Sequence, residues 1–304
     1  MSGTRLSICI VTYRSRPFLA GCLESIFANP PAGEFEVIVV DNGSEDGTAE
    51  MVEEGYPQVA LIRNPSNLGY TTPMNQALRR GQGDFLLQLN PDTLVLPRSL
   101  DRLLAFMDGH PGAGICGPKV LNPDGTMQAQ CRRGESRPLA VISYFLGLHR
   151  LFPRSPTFGG YLLNYLDEDE EGEVAGVSGS CMLIRRELVD EIGYLDEGFF
   201  AYQEDADFCF RARKAGWKVY YVPEAQITHY GGLGGSGVDP YRSIVEWHRS
   251  YWRYYRKNLA GDYPPLFNGL YYGLMGLKLL LALGLNLVRR GKFARPAEEA
   301  RGPL

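Results

Sequence analysis

The feature that most constrains the fold of this 304-residue chain is an alternation, over its first third, of short apolar runs with segments of helical periodicity. The runs are rich in Ile and Val and are typical of strands, while the segments between them carry apolar residues three or four positions apart. Alternation of this kind predicts an α/β fold with a mostly parallel central sheet flanked by helices. The predicted strands are Leu6–Thr12, Phe35–Asp41, Val59–Arg63 and Asp84–Asn90.

Polar residues follow each of these predicted strands. In parallel sheets, ligands bind beyond the carboxyl ends of the strands, so residues at these positions are candidates for a binding site. The candidates are Thr12 and Tyr13, Asp41 and Asn42, Arg63 and Asn64, and the run from Asn90 to Asp92.

Asp41 and the segment Asn64–Gly69 suit a nucleotide. A carboxylate at a strand end can accept a hydrogen bond from the imide N–H of uracil or thymine, although aspartate before a helix is also common for structural reasons. Asn67 and Gly69 precede a helical pattern that contains Asn75. Glycine there permits close approach of the backbone to a phosphate or ribose, and a helix N-terminus favours anions. A capped turn is the alternative explanation of this segment.

Asp92 and His229 are candidate ligands of a divalent metal. Asp92 emerges from a buried strand, where Mg²⁺ or Mn²⁺ finds an oxygen ligand and keeps positions open for phosphate and water; a helix cap is the alternative. His229 precedes a glycine-rich sequence typical of a mobile loop at a ligand site, which suggests imidazole as a second ligand; the alternative is a structural histidine. The glycines are Gly231, Gly232, Gly234, Gly235 and Gly237.

The block Phe199–Arg211 contains three carboxylates within four residues, flanked by aromatic side chains, at the start of a predicted helix. A solvated acidic turn has no need of these aromatic neighbours. On a helix, Asp207 and Arg211 lie four positions apart and can form an ion pair, which indicates a structural role for Asp207. Asp205 is then the candidate base that takes a proton from an acceptor hydroxyl, with Glu204 orienting the acceptor or Asp205.

The segment Arg133–Glu173 is predicted to be a long excursion between ordered parts of the chain. It ends in the acidic run Asp167–Glu171, which we expect to be a solvated loop rather than a functional lid. Ordered structure resumes at Val174–Ile184.

The region after residue 238 has a different character. A basic, aromatic helix, Tyr241–Lys257, precedes the apolar run Leu266–Val288, which is long enough to span a bilayer but carries Lys278 at its centre, where a charge is costly. Its polar side chains fall within roughly one third of the helical circumference, which is typical of an amphipathic helix lying in a membrane interface. We therefore expect peripheral membrane contact through residues 241–292; packing on the main domain or on a second subunit, as in a homo-oligomer, is the alternative.

Composition excludes other classes of protein. A formal net charge of −4 and a pI near 5.7 argue against a nucleic-acid binder. The six cysteines occur singly, mostly in apolar runs and without a C-x-x-C pair, which argues against a zinc site. The N-terminus lacks the pattern of a secretory signal, and with the unpaired thiols this predicts a cytoplasmic protein, at the inner face of the cell membrane if the C-terminal helix binds lipid.

Taken together, the motifs resemble the family 2 glycosyltransferases of the GT-A fold, especially the bacterial rhamnosyltransferase-like branch. The resemblance covers about residues 5 to 258, with its motifs in order. They are Val11-Thr12-Tyr13, Val40-Asp41-Asn42-Gly43-Ser44, Asn67-x-Gly69, Leu89-Asn90-Pro91-Asp92, Ser178-Gly179-Ser180-Cys181, the Phe199–Arg211 block, Ala215-Gly216-Trp217, Tyr221-x-Pro223-x-Ala225 and His229.

The resemblance implies a role for each matching residue. Asp41 contacts the nucleobase, Asp92 and His229 hold Mg²⁺ or Mn²⁺, and Asp205 is the base. Asn90 stands where many relatives have the first Asp of an Asp-x-Asp motif, which leaves Asp92 as the main carboxylate ligand. The residues predicted to bind the donor also include Thr12, Tyr13, Asn67, Gly69, Asn75, Asn90, Gly179 and Ser180.

The resemblance also implies a domain organisation. Residues 1–238 form a GT-A (Rossmann-like) catalytic domain, with the nucleotide-binding part at about 1–110 and the acceptor and catalytic part at about 111–238. Residues 239–304 form a C-terminal helical extension that contacts the membrane or a second subunit.

A single base predicts an inverting transfer, in which Asp205 deprotonates the acceptor hydroxyl as it attacks the anomeric carbon opposite the leaving nucleotide. The donor suggested by the resemblance is dTDP-L-rhamnose, or another sugar on dTDP or UDP, and the acceptor a cell-envelope polysaccharide or a lipid-linked carbohydrate. The alternatives are a non-catalytic sugar-nucleotide-binding scaffold and a nucleotidyltransferase. The latter needs basic residues around a triphosphate, and the strand ends offer mainly Arg63.

Overall fold

The structure, a computed structural model, is described over residues 3–231 and 239–290. Three of the expectations lie outside the described residues. They are the mobile loop with glycines at 232–237, the domain boundary at 238, and the end of the expected membrane contact within residues 291–304. The strands are β1 Thr4–Thr12, β2 Glu34–Asp41, β3 Ala60–Arg63, β4 Phe85–Leu89, β5 Thr93–Val95, β6 Ala113–Leu121, β7 Arg132–Arg133, β8 Gly172–Glu173, β9 Gly176–Val177, β10 Cys181–Arg185 and β11 Lys218–His229. The helices are α1 Arg16–Ala28, α2 Thr48–Gly55, α3 Thr71–Arg80, α4 Ser99–Gly109, α5 Pro138–Phe145, α6 Leu148–Leu151, α7 Pro156–Gly159, α8 Arg186–Ile192, α9 Glu204–Lys214, α10 Pro240–Asn258 and α11 Pro265–Arg290.

The central sheet is mostly parallel, as the sequence predicted. Its strand order is β3-β2-β1-β4-β10-β6-β11-β5, with β8 paired to β11. β3, β2, β1 and β4 are parallel to one another, and β11 is parallel to β6. β10 runs antiparallel between β4 and β6, so the residues before β10 meet the residues after β4. The backbone N–H of Asn90 donates to the carbonyl of Ser180 at 2.9 Å across this junction.

The hydrophobic periodicity of the first helix matches its packing. Leu19, Cys22, Leu23 and Ile26 are the buried residues of α1, because positions three and four apart lie on the face turned to the sheet. All six cysteines are free and buried, in keeping with cysteine acting as a small hydrophobe.

The predicted excursion after Arg133 contains the short helices α5, α6 and α7. Its acidic end is exposed to solvent, as we expected, and is also joined to the sheet by ion pairs. Lys119, whose side chain is 8% exposed, donates to Glu168 at 2.8 Å and to Asp169 at 2.7 Å. These two ion pairs tether the acidic run to β6.

The two C-terminal helices pack on the rest of the chain and on each other. The Ser250 hydroxyl in α10 donates to the carbonyl of Ala201 at 2.7 Å. α11 packs on α10 through Tyr251 and Tyr271, whose hydroxyl oxygens lie 2.7 Å apart. The two helices begin and end within two residues of the predicted segments.

Candidate active site

A cavity of about 910 Å³ opens at the carboxyl ends of β1, β2 and β4. The antiparallel β10 brings the Ser178–Ser180 turn to the same place, and α9 begins beside it. Most of the sequence-predicted site residues therefore line one cavity. They are Tyr13, Asn67, Gly69, Asn90, Asp92, Gly179, Ser180, Glu204, Asp205 and His229.

Thr12 and Asp41 are buried beside the lining residues that follow each of them in the chain. The Thr12 hydroxyl lies 2.7 Å from that of Ser15 and holds the turn into α1. Asp41 Oδ2 accepts the backbone N–H of Ser44 at 3.1 Å, whereas Asp41 Oδ1 is buried without a hydrogen-bond partner among the described residues. A buried carboxylate oxygen without a partner is unfavourable unless a ligand donates to it.

Asn42 lines the cavity, as expected for a candidate at a strand end, although the sequence assigned it no particular contact. Its side-chain amide donates to Asn67 Oδ1 at 3.0 Å and to the Gly69 carbonyl at 2.6 Å. Its side-chain oxygen accepts the backbone N–H of Leu68 at 3.1 Å. Asn42 thus fixes the 64–69 segment against the end of β2.

Gly69 joins the first half of the cavity to the Phe199–Arg211 block. It has a φ of +89°, and a Cβ there would lie 2.5 Å from the Phe200 carbonyl oxygen. The backbone N–H of Tyr70 donates to that same oxygen at 2.6 Å. The close approach of two backbone segments therefore requires glycine.

We expect Gly69→Ala to destabilise the protein by more than the roughly 1–2 kcal/mol that a left-handed backbone alone costs, because the added methyl group also meets Phe200. Donor-induced thermal stabilisation should fall with it. Gly125→Ala is the matched control, since Gly125 has a φ of +84° with nothing within 4 Å of its Cβ position. Equal losses of unfolding free energy in the two variants would contradict the close approach at Gly69.

Asn75 does not line the cavity, in contrast to its predicted contact with the donor. It is fully buried, and its amide nitrogen donates to the Leu195 carbonyl and to Glu197 Oε1, each at 2.9 Å. Its carbonyl oxygen accepts the Leu195 N–H at 3.1 Å. Asn75 has a structural role instead, because it binds α3 to the segment that precedes α9.

Asp92 and His229 meet at the rim of the sheet. β11 pairs antiparallel with β5 and places His229 opposite Thr93, so that His229 Nε2 lies 3.2 Å from Asp92 Oδ1. His229 Nδ1 lies 3.0 Å from Gln128 Oε1, and Gln128 Nε2 donates to the His229 carbonyl at 2.7 Å. An Nδ1–H bonded to Gln128 leaves the Nε2 lone pair directed at Asp92, as a metal-binding imidazole requires.

The Asn90 side chain lies between His229 and Tyr70. Its amide nitrogen lies 3.3 Å from His229 Nε2, and its oxygen accepts the Tyr70 hydroxyl at 3.1 Å. Among residues 3–231 and 239–290, no three His, Cys, Asp or Glu side chains are grouped to hold a metal. A divalent ion at Asp92 and His229 would therefore draw further ligands from phosphate and water, as Mg²⁺ commonly does.

Asp205 lies in the first turn of α9 and is held by three donors. Its Oδ2 accepts from Arg133 Nη2 at 2.5 Å and from the Gly179 N–H at 2.9 Å, and its Oδ1 accepts the Ala206 N–H at 2.7 Å. The Arg133 and Asp205 side chains are each only 11% exposed. This buried ion pair fixes the carboxylate beside the cavity, because the guanidinium also donates to the Val177 carbonyl at 2.7 Å.

Glu204 differs from its neighbour. It is buried, and its Oε2 has no hydrogen-bond partner among the described residues. Burial, together with the negative charge of Asp205, raises the pKa of Glu204 well above its usual range. Adjacent carboxyl groups in such unlike surroundings suit a protonated hydrogen-bond donor at Glu204 and a proton acceptor at Asp205.

Asp207 forms the ion pair with Arg211 that the helical spacing predicted, with Arg211 Nε donating to Oδ2 at 3.0 Å. Lys257 and Asn258, at the end of α10, also donate to the Asp207 carboxylate, each at 2.8 Å. The Asp207 side chain is fully buried and thus fastens α10 to α9.

Four of the residues that line the cavity were missed by sequence reasoning. Arg133 lies at the start of the excursion and Tyr161 lies within it. Arg242 and Trp247 belong to α10, which the sequence analysis assigned to the C-terminal extension rather than to the catalytic domain. Local spacing carried no signal for them, because each reaches the cavity only through contacts distant in sequence. The C-terminal region therefore contributes to the site.

The sheet order and the cavity at its strand ends fit the GT-A fold of glycosyltransferases. A family model described as Glycosyl transferase family 2 matches residues 7–193, and one described as Glycosyl transferase family group 2 matches residues 161–277. The chain is 31% identical over 301 residues to an N-acetylglucosaminyl-diphospho-decaprenol L-rhamnosyltransferase of Mycobacterium tuberculosis, covering 95% of this chain and 96% of the relative. The chain belongs to glycosyltransferase family 2 and is rhamnosyltransferase-like.

Solved structures share the fold. The crystal structure of S. aureus TarS 1–349 has a TM-score of 0.51 and 21% identity, covering 81% of this chain and 65% of that one. The mannosyltransferase PcManGT from Pyrobaculum calidifontis, in complex with GDP-Man and Mn²⁺, has a TM-score of 0.56 and 19% identity, covering 99% of this chain and 76% of that one. At these identities the likeness supports the architecture alone.

Proposed function

We propose that this protein transfers a sugar, with inversion, from a dTDP- or UDP-linked donor to a lipid-linked acceptor of the cell envelope, with L-rhamnose as the sugar. The observation that carries the proposal is the arrangement of one cavity, with a metal-ligand pair at Asp92 and His229 and a buried, oriented carboxylate at Asp205. The printed activity of the mycobacterial relative supports the choice of sugar and acceptor.

Donor binding begins at the end of β2. Asp41 Oδ1, which has no partner among the described residues, accepts the imide N–H that thymine and uracil share. Asn67 and Gly69, fixed by Asn42, and Tyr13 enclose the nucleoside, and Gly179 and Ser180 face the sugar diphosphate from the start of β10.

The side-chain atoms of Asp92 and His229 fit a divalent cation. Asp92 Oδ1 and His229 Nε2, 3.2 Å apart, are spaced as neighbouring ligands of one ion, and Gln128 holds the imidazole in the required tautomer. Mn²⁺ or Mg²⁺ bound there supplies charge stabilisation for the departing diphosphate. The bound Mn²⁺ of PcManGT is consistent with this proposal.

Asp205 takes the proton of the acceptor hydroxyl. The acceptor oxygen then bonds to the anomeric carbon as the bond from that carbon to the diphosphate oxygen breaks, and the nucleoside diphosphate leaves with its electron pair. Arg133 positions the base, because it donates to Asp205 Oδ2 at 2.5 Å. Glu204 Oε2, which has no partner among the described residues and belongs to a carboxyl group of raised pKa, would donate a hydrogen bond to a bound acceptor.

Trp247 lines the cavity next to Phe145, and we assign it to the acceptor side. Such an acceptor places the reaction at the inner face of the cell membrane, with the catalytic domain in the cytoplasm. A panel of sugar nucleotides with Mn²⁺ or Mg²⁺, followed by nucleotide release and thermal shift, tests the proposal. Release of nucleoside diphosphate supports a glycosyltransferase, and binding without release when a lipid-linked acceptor is supplied indicates a sugar-nucleotide-binding scaffold. Formation of a nucleoside triphosphate and a sugar phosphate when pyrophosphate is added to the sugar nucleotide indicates a nucleotidyltransferase.

We expect His229→Ala to weaken Mn²⁺ binding by about 100-fold or more, since losing even an outer partner of a metal ligand costs about 10- to 100-fold. The measurement is the Mn²⁺-dependent rise in melting temperature in the presence of UDP, which does not require turnover. His110→Ala, at an exposed histidine, is the matched control and should keep the full rise. An undiminished rise in His229→Ala would remove the imidazole from the metal site.

A further inference from the structure

The outward face of α11 is a continuous surface of leucines. At about 100° per residue, the exposed leucines occupy about 160° of the helical circumference. Tyr271 and Met275 lie on the opposite side of the helix, where they are buried. The exposed leucines are Leu266, Leu270, Leu274, Leu277, Leu280, Leu281, Leu285 and Leu287.

The polar stripe of α11 faces the protein rather than water, the reverse of the orientation expected for a free amphipathic helix. Asn268 donates to the Ala260 carbonyl at 2.9 Å and accepts from the Tyr255 hydroxyl. Lys278 Nζ lies 2.9 Å from His248 Nε2 and 4.0 Å from the centre of the Trp247 ring. The Lys278 ammonium, which in the sequence opposed membrane contact, is thus turned away from the leucine face.

A second exposed apolar segment extends this face. Lys278 Nζ lies 4.0 Å from the ring of Phe145 at the end of α5, and that ring contacts Trp247 with 5.9 Å between centroids. Helix α5 is therefore packed beside α10 and α11. Its exposed apolar side chains, with those of the segment that follows, are Leu139, Phe145, Leu146, Leu151 and Phe152.

The charge around the leucine face is positive. Residues 240–290 carry eight Lys or Arg and two acidic residues, although Arg242 lines the cavity, Lys278 is turned inward, and Arg253 and Lys257 pair with Asp196. Arg249 and Arg256 are exposed two turns apart on α10, on the side that carries Trp252, and Trp252 contacts Tyr272 of α11. Exposed Arg150 and Arg154 flank the apolar segment after α5. An anionic lipid surface complements this combination of leucines and basic residues.

We propose that the leucine face of α11 and the apolar segment Leu139–Phe152 form one docking surface that lies in the plane of an anionic lipid leaflet. The proposal rests on the proposed function only for the lipid-linked nature of the acceptor. A second copy of this chain fits the surface less well, because face-to-face pairing would bring the basic residues of both copies together. The described helix Pro265–Leu287 is long and apolar enough to cross a membrane, but its inward polar contacts with α10 favour the in-plane orientation.

The docking surface and the cavity share a residue. Trp247 lines the cavity and also contacts Phe145 and Lys278 behind the leucine face. Docking through this face therefore brings the Trp247 side of the cavity, which the proposed function assigns to the acceptor, next to the lipid. A lipid-linked acceptor can then enter with its chain still in the leaflet.

The test is sedimentation of the full chain with phosphatidylglycerol-rich vesicles and with phosphatidylcholine vesicles. We expect the wild type to bind the anionic vesicles more tightly, and the triple variant Leu270→Gln, Leu277→Gln, Leu281→Gln to bind about 100-fold more weakly. Glutamine is a good helix former, so α11 should persist. Leu166→Gln is the matched control: Leu166 is 40% exposed beside the acidic run, and its substitution should leave binding unchanged.

Three results would overturn the proposal. They are unchanged vesicle binding by the triple variant, a leucine-dependent dimer that does not bind vesicles, and retention on vesicles after an alkaline carbonate wash, which indicates a spanning helix. Thermal stabilisation by dTDP and UDP is measured on the same samples. Loss of vesicle binding with nucleotide binding intact supports the docking surface, whereas vesicle binding without any nucleotide binding contradicts the proposed function alone.

Discussion

Asp205→Asn is expected to lower the rate of sugar transfer by about 100- to 10 000-fold, the usual contribution of a positioned general base. Asparagine keeps an oxygen that can accept from Arg133 and from the Gly179 N–H, so the shape of the cavity should persist. It lacks the basic oxygen that takes the proton. Nucleoside diphosphate release should therefore collapse while thermal stabilisation by the donor stays close to that of the wild type.

Glu204→Gln is the matched comparison. The pKa of Glu204 is raised by burial and by the charge of Asp205, and a glutamine amide reproduces the donor and acceptor pattern of a protonated carboxyl group. We expect this variant to stay within about tenfold of the wild-type rate, since altering a single hydrogen bond costs about 1 kcal/mol. If Asp205→Asn kept a rate near that of the wild type and Glu204→Gln lost transfer, Glu204 rather than Asp205 would be the base.

Asp207→Ala is expected to cost about 3–5 kcal/mol of unfolding free energy, as is typical when one partner of a buried ion pair is removed. Its fully buried carboxylate accepts from Arg211, Lys257 and Asn258, so the substitution leaves Arg211 without its counter-charge and Lys257 with Asp196 alone. The attachment of α10 to α9 should weaken as well. Denaturant unfolding at neutral pH measures the loss.

Asp190→Ala, at an exposed carboxylate on the neighbouring helix α8, serves as the control and should change stability by no more than about 0.5 kcal/mol. If Asp207→Ala lost transfer activity while keeping wild-type stability, Asp207 would belong to the chemistry rather than to the scaffold. The two pairs of variants therefore test separate roles for the two aspartates of α9, although only one residue lies between them.

Residues at strand ends were predictable because parallel strands bring their carboxyl ends to one edge. Tyr13, Asn67 and Asp92 line the cavity for this reason. The pairing of Asp207 with Arg211 was also predictable, since both lie on one helix face. Asn75 was not, because its helical position gave no indication that Leu195 and Glu197 would occupy its amide.

Contacts between segments distant in the chain could not be predicted from the sequence, because strand pairing creates them. Arg133 and Asp205 are 72 positions apart, and their ion pair exists because β7 pairs with β9 at the start of β10. His229 reaches Asp92 only because β11 runs antiparallel to β5. The motif order could suggest that such residues act together, but not which neighbour would fix each side chain.

The C-terminal helix α11 shows most clearly what the sequence determines and what the tertiary structure determines. Its sequence by itself determined a leucine side and a polar side, because periodicity is a property of residues three and four positions apart. Only the tertiary structure decided which side faces outward. The tyrosines of α10 offer hydrogen-bond partners to Asn268 and Tyr271, so the polar side is satisfied inside the protein and the leucines remain on the surface.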